Sequence, residues 1–232
     1  METLGAMLGL IAGGDPELIG IVLLSLQVSL SACAIAGLIG IPLGAAMAVW
    51  SFPGRGALIV TSTSLMALPP VVVGLFVYLM LSRAGPLGEF GLLFTPGAMI
   101  IAQAILILPI ITALTREAVL PLEREYRGLM SALDAGPWRR LITLVQDARF
   151  AVMTALLAGF GRAIAEVGAV LIVGGNIRGV TRVMTTTIAL ETSKGNLELA
   201  LALGLILILI AFAVNAIIHA LGRIGRRYQA VR

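Results

Sequence analysis

Residues 150–173 read FAVMTALLAGFGRAIAEVGAVLIV, from Phe150 to Val173. Only Arg162 and Glu166 interrupt this apolar block, which is long enough to cross a hydrocarbon layer of about 30 Å as a helix of roughly 20 residues. Four further blocks of the same kind run from about Leu18 to Trp50, Ala57 to Ser82, Pro96 to Ala118 and Leu197 to Leu221. With 59% apolar and 12% charged residues the chain lacks a soluble surface, which takes about a quarter charged residues. Unbroken rather than alternating apolar runs also argue against an outer-membrane barrel. The expected fold class is therefore an all-α integral membrane protein with five transmembrane helices, read as one permease-like domain over residues 1–232. A soluble enzyme is excluded. The lone Cys33 supplies neither a disulfide framework nor a cysteine metal site.

Within the opening block Arg162 and Glu166 stand four residues apart, which on a continuous helix puts them on one face. Helical rise places Arg162 about 18 Å into the block, where an unpaired arginine costs roughly 2.5–3.5 kcal/mol on insertion scales. Neither charge should face lipid, and the small residues Gly161, Ala165 and Ala169 would let another helix approach. Two readings stand. The face lines a polar path, with Arg162 attracting an anion and Glu166 restraining it, or the pair is a neutral staple between helices.

Span one is longer than a membrane requires, and Pro42, between Gly40 and Gly44, is its natural bend point. Pro69-Pro70 forbids a regular helix through span two, so the freed backbone there should face protein or water. Arg55, Arg116, Arg124, Arg127, Arg139, Arg140, Arg149, Arg223, Arg226, Arg227 and Arg232 collect on one side, against Arg83, Arg178, Arg182 and Lys194 on the other. The positive-inside rule assigns the first group to the cytoplasm, with the amino terminus outside and the carboxyl terminus inside. Met1 to Gly14 has no basic residue ahead of its apolar part and reads as a retained, partly interfacial segment rather than a signal peptide.

The cytoplasmic stretch 119–149 is the longest polar one. Trp138, Leu141, Ile142 and Val145 follow helical spacing, Leu129 and Leu133 form an earlier pair, and Gly136-Pro137 separates the two segments. Such a helix–turn–helix can enter a partner's groove or lie on the inner leaflet. Outside, Gly174-Gly175-Asn176 suits helix termination, and the stretch Thr181 to Glu191 reads as a short helix that re-enters or lies on the membrane. Thr185, Thr186 and Thr187 within it, and Thr61, Ser62, Thr63 and Ser64 before the double proline, offer hydroxyls. These can hold an oxyanion or simply bond their own backbone.

Leu133-Asp134-Ala135-Gly136-Pro137-Trp138-Arg139 resembles the loop by which membrane permeases of ABC importers dock into their ATP-hydrolysing subunits. The usual upstream Glu-Ala-Ala is absent, its place being taken by Gly128, Leu129 and Met130, and Asp134 replaces a glycine. Leu68 to Leu75 with Ser82 to Gly88, and Arg162 to Ala169 with Gly174 to Ile177, are similar to spans two and four of the molybdate, tungstate and sulfate permease class. Thr95 to Met99 and Met184 to Asn196 most resemble its tungstate-specific members.

The resemblance implies a type I importer permease in a prokaryotic cytoplasmic membrane, moving an oxyanion by alternating access, tungstate first and molybdate or sulfate as alternatives. It implies a homodimer, two cytoplasmic ATP-binding subunits docked on Gly128, Leu129, Leu133, Asp134, Ala135, Gly136, Pro137, Trp138 and Arg139, and an extracytoplasmic oxyanion-binding protein. ATP and Mg would belong to the partner ATPase, with no cofactor and no metal on this chain, no catalytic residue and no nucleic-acid partner. The chain itself has no phosphate-binding Gly-x-x-x-x-Gly-Lys-Ser/Thr loop. The path or gate is expected at Arg162, Glu166, Asn176, Thr185, Thr186, Thr187, Ser62 and Ser64. The competing classes are a secondary transporter acting alone, for which repeats or more intramembrane charges are expected, and a membrane anchor subunit without a path.

Overall fold

The computed structural model describes residue 13 and residues 15–230, with side chains through residue 224. The expected interfacial segment at Met1–Gly14 lies almost wholly outside the described residues. Among the described residues all regular structure is helical: α1 Pro16–Val49, α2 Arg55–Leu65, α3 Pro70–Leu81, α4 Pro96–Ala132, α5 Pro137–Asp147, α6 Arg149–Ile164, α7 Gly168–Gly174, α8 Met184–Lys194 and α9 Leu197–Ala230, plus a 3-10 turn at Gly88–Phe90. Three helices, α1, α4 and α9, are long and apolar enough to cross a membrane, and there are up to five spans if each bent pair, α2/α3 and α5/α6, is counted as one.

Prolines set several boundaries. Pro16, Pro70, Pro96 and Pro137 each open a helix, where the missing N–H is one that no intrahelical carbonyl would have accepted. Pro69 is extended (φ −64°, ψ 123°) and stops α2 from continuing into α3, as the double proline predicts. Pro42 lies inside the continuous α1, and Pro109 and Pro121 inside the continuous α4.

Two boundaries depart from the sequence reading. Span three continues as α4 to Ala132, so the first part of the expected 119–149 loop is helix, because Val119 and Leu122 are buried and keep its apolar periodicity going beyond the charged Arg116-Glu117. Span four is not one helix. It ends at Ile164 and restarts at Gly168, leaving Ala165, Glu166 and Val167 between.

The chain forms two compact units. One comprises residues up to 32, 69–105 and 161–213; the other comprises 33–68, 106–160 and 214 onward. In the first, α3 and α7 pack backbone to backbone. A Cβ on Gly74 would stand 2.7 Å from the Ala169 Cα, and one on Gly168 would stand 2.9 Å from Val71 Cγ2. α8 is tied to α1 by the Met184 N–H donating to Ser25 Oγ at 2.8 Å, while that hydroxyl donates to Ile21 O at 2.7 Å. Val170, Val173, Met184, Ala202 and Leu203 are fully buried there.

The second unit is a helical core of Ala45, Ala48, Val119, Leu122, Leu141, Leu144, Ala148 and Val152, drawn from α1, α4, α5 and α6 with Ala148 between the last two. Gly40 and Gly44 let α1 meet α4 closely: a Cβ on Gly44 would lie 2.3 Å from Thr112 O. Small residues are the ordinary device for such approach in membranes, where burying apolar surface gives little drive.

Candidate functional site: a broken span and a docking turn

The break in span four is built from its own freed backbone. Where a helix stops inside protein, its terminal carbonyls and the next helix's first N–H groups need partners. Ala163 O accepts from the Glu166 N–H at 3.1 Å and from Gln103 Nε2 of α4 at 3.0 Å. Glu166 O accepts from the Thr185 hydroxyl of α8 at 2.7 Å. The Glu166 carboxylate faces both ways: Oε1 accepts the Ala169 N–H of α7 at 3.2 Å, and Oε2 accepts from Arg162 Nη1 at 2.6 Å. The expected pair is therefore made, although the reason given for it, a shared face of one unbroken helix, does not hold. Glu166 is 3% exposed at its side chain and Arg162 38%, so the guanidinium is the open half of the pair.

Beyond the break, α7 ends on Gly175 (φ 69°) and Asn176 (φ 50°), both left-handed as the Gly-Gly-Asn run predicts. Asn176 and Thr186 close a small ring, Thr186 Oγ1 donating to Asn176 Oδ1 at 3.0 Å and Asn176 Nδ2 donating to Thr186 O at 3.3 Å. Thr187 Oγ1 donates to Val183 O at 2.7 Å, and Thr181 Oγ1 to Gly174 O at 2.5 Å. Thr185, Thr186 and Thr187 are buried and bond within the chain. Ser62 and Ser64 differ: they lie on α2, which has no buried residue, in the other unit.

At the end of α8 the Glu191 carboxylate accepts from Lys194 Nζ and Asn196 Nδ2, both at 2.9 Å, and these donors hold it below its ordinary value of 4.5. A cleft of about 470 Å³ lies between the start of α1 and the 178–182 turn, lined by Glu17, Ile21, Leu24, Arg178, Val180 and Arg182 among others. Glu17 is gripped through both carboxylate oxygens by Arg178, with Arg182 at 3.7 Å.

The turn at 129–142, expected from the sequence to dock a partner, belongs to the second unit. Asp134 takes a left-handed conformation (φ 48°), the Ala135 N–H reaches back to Met130 O at 3.0 Å, and Pro137 starts α5. Leu141 and Leu144 are buried, whereas Trp138 and Ile142, placed by spacing on the same apolar stripe, are 67% and 52% exposed. The stripe divides because α5 leans on α1 and α4 along only part of it. Leu129 and Leu133 are exposed beside the turn, and the Trp138 ring meets Trp50 edge to face at 4.9 Å. Glu123 of α4, buried, receives Arg140 Nε at 2.9 Å and Nη2 at 2.5 Å, with Arg127 at 3.6 Å.

Residues 40–224 match the family described as the binding-protein-dependent transport system inner membrane component. The chain belongs to that family. The permease is 42% identical over 220 residues to the tungstate uptake system permease protein TupB of Peptoclostridium acidaminophilum, covering 95% of this chain and 96% of that protein. It is 43% identical over 205 residues to a probable anion ABC transporter permease of Haloferax volcanii, covering 86% and 88%. A second TupB, from Campylobacter jejuni, is 41% identical over 165 residues, covering 71% and 69%. The permease is thus a multi-pass inner-membrane transport subunit of the ABC class, and the tungstate-type resemblance agrees with these relatives.

Sequence reading of the permease singled out Arg162, Glu166, Asn176 and Thr185–Thr187, and the structure brings all six into one unit around the break and the start of α8. It missed Gln103, a lone amide in an apolar helix whose polarity alone was a signal. It also missed Glu123 with Arg140, which sit on different helices and whose spacing of 17 carries no periodicity.

Proposed function

We propose that this permease is the membrane-spanning subunit of an ATP-driven oxyanion importer, tungstate before molybdate, working as one domain over residues 1–232 and as a homodimer. Two cytoplasmic ATPases, which hold the ATP and Mg, dock on the 119–149 segment of the two copies, and an extracytoplasmic binding protein delivers the anion. The amino terminus is outside. The observation that carries the reading is the turn at 129–142: Leu129, Leu133, Trp138 and Ile142 stand exposed together with Arg139, while Leu141 and Leu144 anchor the same helix. An apolar helical tip held rigidly from behind suits a groove in another protein. The apolar side chains that would let α5 lie flat on a leaflet are partly spent on the core.

The oxyanion rests on the relatives' substrates and on the break. Arg162 is the open cation of the path, with Glu166 as its restraint, so that an anion is attracted without being trapped. Asn176, Thr185, Thr186 and Thr187 hold the gate's backbone, and Ser62 and Ser64 offer hydroxyls from the unburied α2. Replacing Leu133 by Ser and Trp138 by Ala should cut ATPase copurification at least tenfold with the permease still inserted. Undiminished copurification would remove the docking assignment.

A further inference from the structure

The docking helix is joined to the rest of the permease by more than apolar packing. Glu123 lies on α4 and Arg140 on α5, and the carboxylate takes both prongs of the guanidinium, at 2.9 and 2.5 Å. The Glu123 side chain is 4% exposed and that of Arg140 20%, so water competes little for the contact. A bidentate arginine–carboxylate pair fixes angle as well as distance, which a point-charge lysine does not. Arg127, one turn on along α4 and exposed, stands 3.6 Å from the same carboxylate as a second, outer cation.

Around this pair the core supplies grip without direction. Leu141 and Leu144 are buried against Val119 and Leu122 of α4 and anchor the helix there, but apolar burial is non-directional and does not by itself select one angle. α5 turns away from α6 by 73°, so the chain after it does not hold it parallel to anything. The paired fork is what sets α5 on α4 in one orientation. Buried charge pairs are poor sources of net stability but are well suited to fixing register.

Resting on the docking reading above, we infer that Glu123 and Arg140 are positioning residues for energy coupling: they make α5 and the cytoplasmic end of α4 move as one body, so that displacement of the docked ATPase reaches the membrane helix. Neither residue belongs to the exposed tip that would touch the ATPase.

The test uses the assembled importer, permease with ATPase and binding protein, in liposomes. Spin labels at positions 124 and 146 read the distance between α4 and α5, and the second readout is tungstate moved per ATP hydrolysed in each assembled complex. In wild type the distance distribution should be narrow. Glu123→Gln, and Arg140→Lys as the milder change that keeps the charge, should still copurify with the ATPase but should broaden that distribution and lower the ratio at least fivefold. A loss of material alone would leave the ratio per complex unchanged. An unchanged distribution, or an unchanged ratio per complex, overturns the inference. Failure of the docking reading is separate: it shows as ATPase retention in the Leu133→Ser, Trp138→Ala variant, whatever Glu123 does.

Discussion

The carboxylate of Glu166 closes the break in span four from two sides, capping α7 through Ala169 N–H with one oxygen and neutralising Arg162 with the other. Removing Arg162 leaves the cap in place; removing Glu166 strands both a guanidinium and a helix terminus. The path reading therefore predicts that Arg162→Gln lowers oxyanion uptake at least tenfold with little change in the amount of inserted protein, measured by uptake per immunoblotted permease. Uptake equal to wild type would assign the pair to stapling alone. Glu191 gives a pH test. Its carboxyl is held below 4.5 by Lys194 and Asn196, so its contribution is complete above that value and is lost as pH falls through the lower folded value. As pH is lowered from about 7 through that lowered value, the thermal midpoints of wild type and Glu191→Gln should converge. A constant difference across that range would contradict the assignment.

Among the elements, α3 and α7 show how far the sequence could be read. Pro69-Pro70 declares the stop between α2 and α3, and Gly174-Gly175-Asn176 the end of α7, because proline and left-handed residues act locally and leave their mark in one or two positions. The stop at Ala165–Val167 leaves no such mark: alanine and valine tolerate helix well enough, and what ends α6 is tertiary, namely Gln103, Thr185 and the Val71 side chain against Gly168. The same holds for α5, whose apolar spacing was legible but whose division into buried Leu141 and exposed Trp138 depends on where α1 and α4 lie. Arg162 and Glu166 were legible because charge inside an apolar block must be accounted for, whereas Glu123 looked like one more polar residue of a basic loop. Close approach of α3 and α7 carries its own prediction. Gly74→Ala places a Cβ 2.7 Å from the Ala169 backbone, which cannot swing aside like a side-chain tip, and should destabilise the permease by about 1–3 kcal/mol. Unfolding of the purified variant in a denaturing-detergent titration checks it, and an unchanged midpoint would mean that the two helices are less tightly joined than described.

For the whole molecule, the chain supplies spans, a compensated intramembrane charge and an exposed apolar tip, but no phosphate loop to hydrolyse ATP. On the proposed function, this subunit shapes the path, and its partners provide energy and capture. Substrate movement should depend on ATP and on all three components, because a path that stayed open would dissipate any gradient. The decisive measurement is tungsten accumulated inside liposomes carrying the permease with its ATPase and binding protein, with ATP present or withheld, and with molybdate offered as competitor. The account predicts tungsten accumulation only when ATP and both partners are present, and less of it lost to equimolar molybdate than an indifferent site would lose. Equilibration of tungstate through the permease alone, or no ATP-dependent accumulation by the complete assembly, would contradict it.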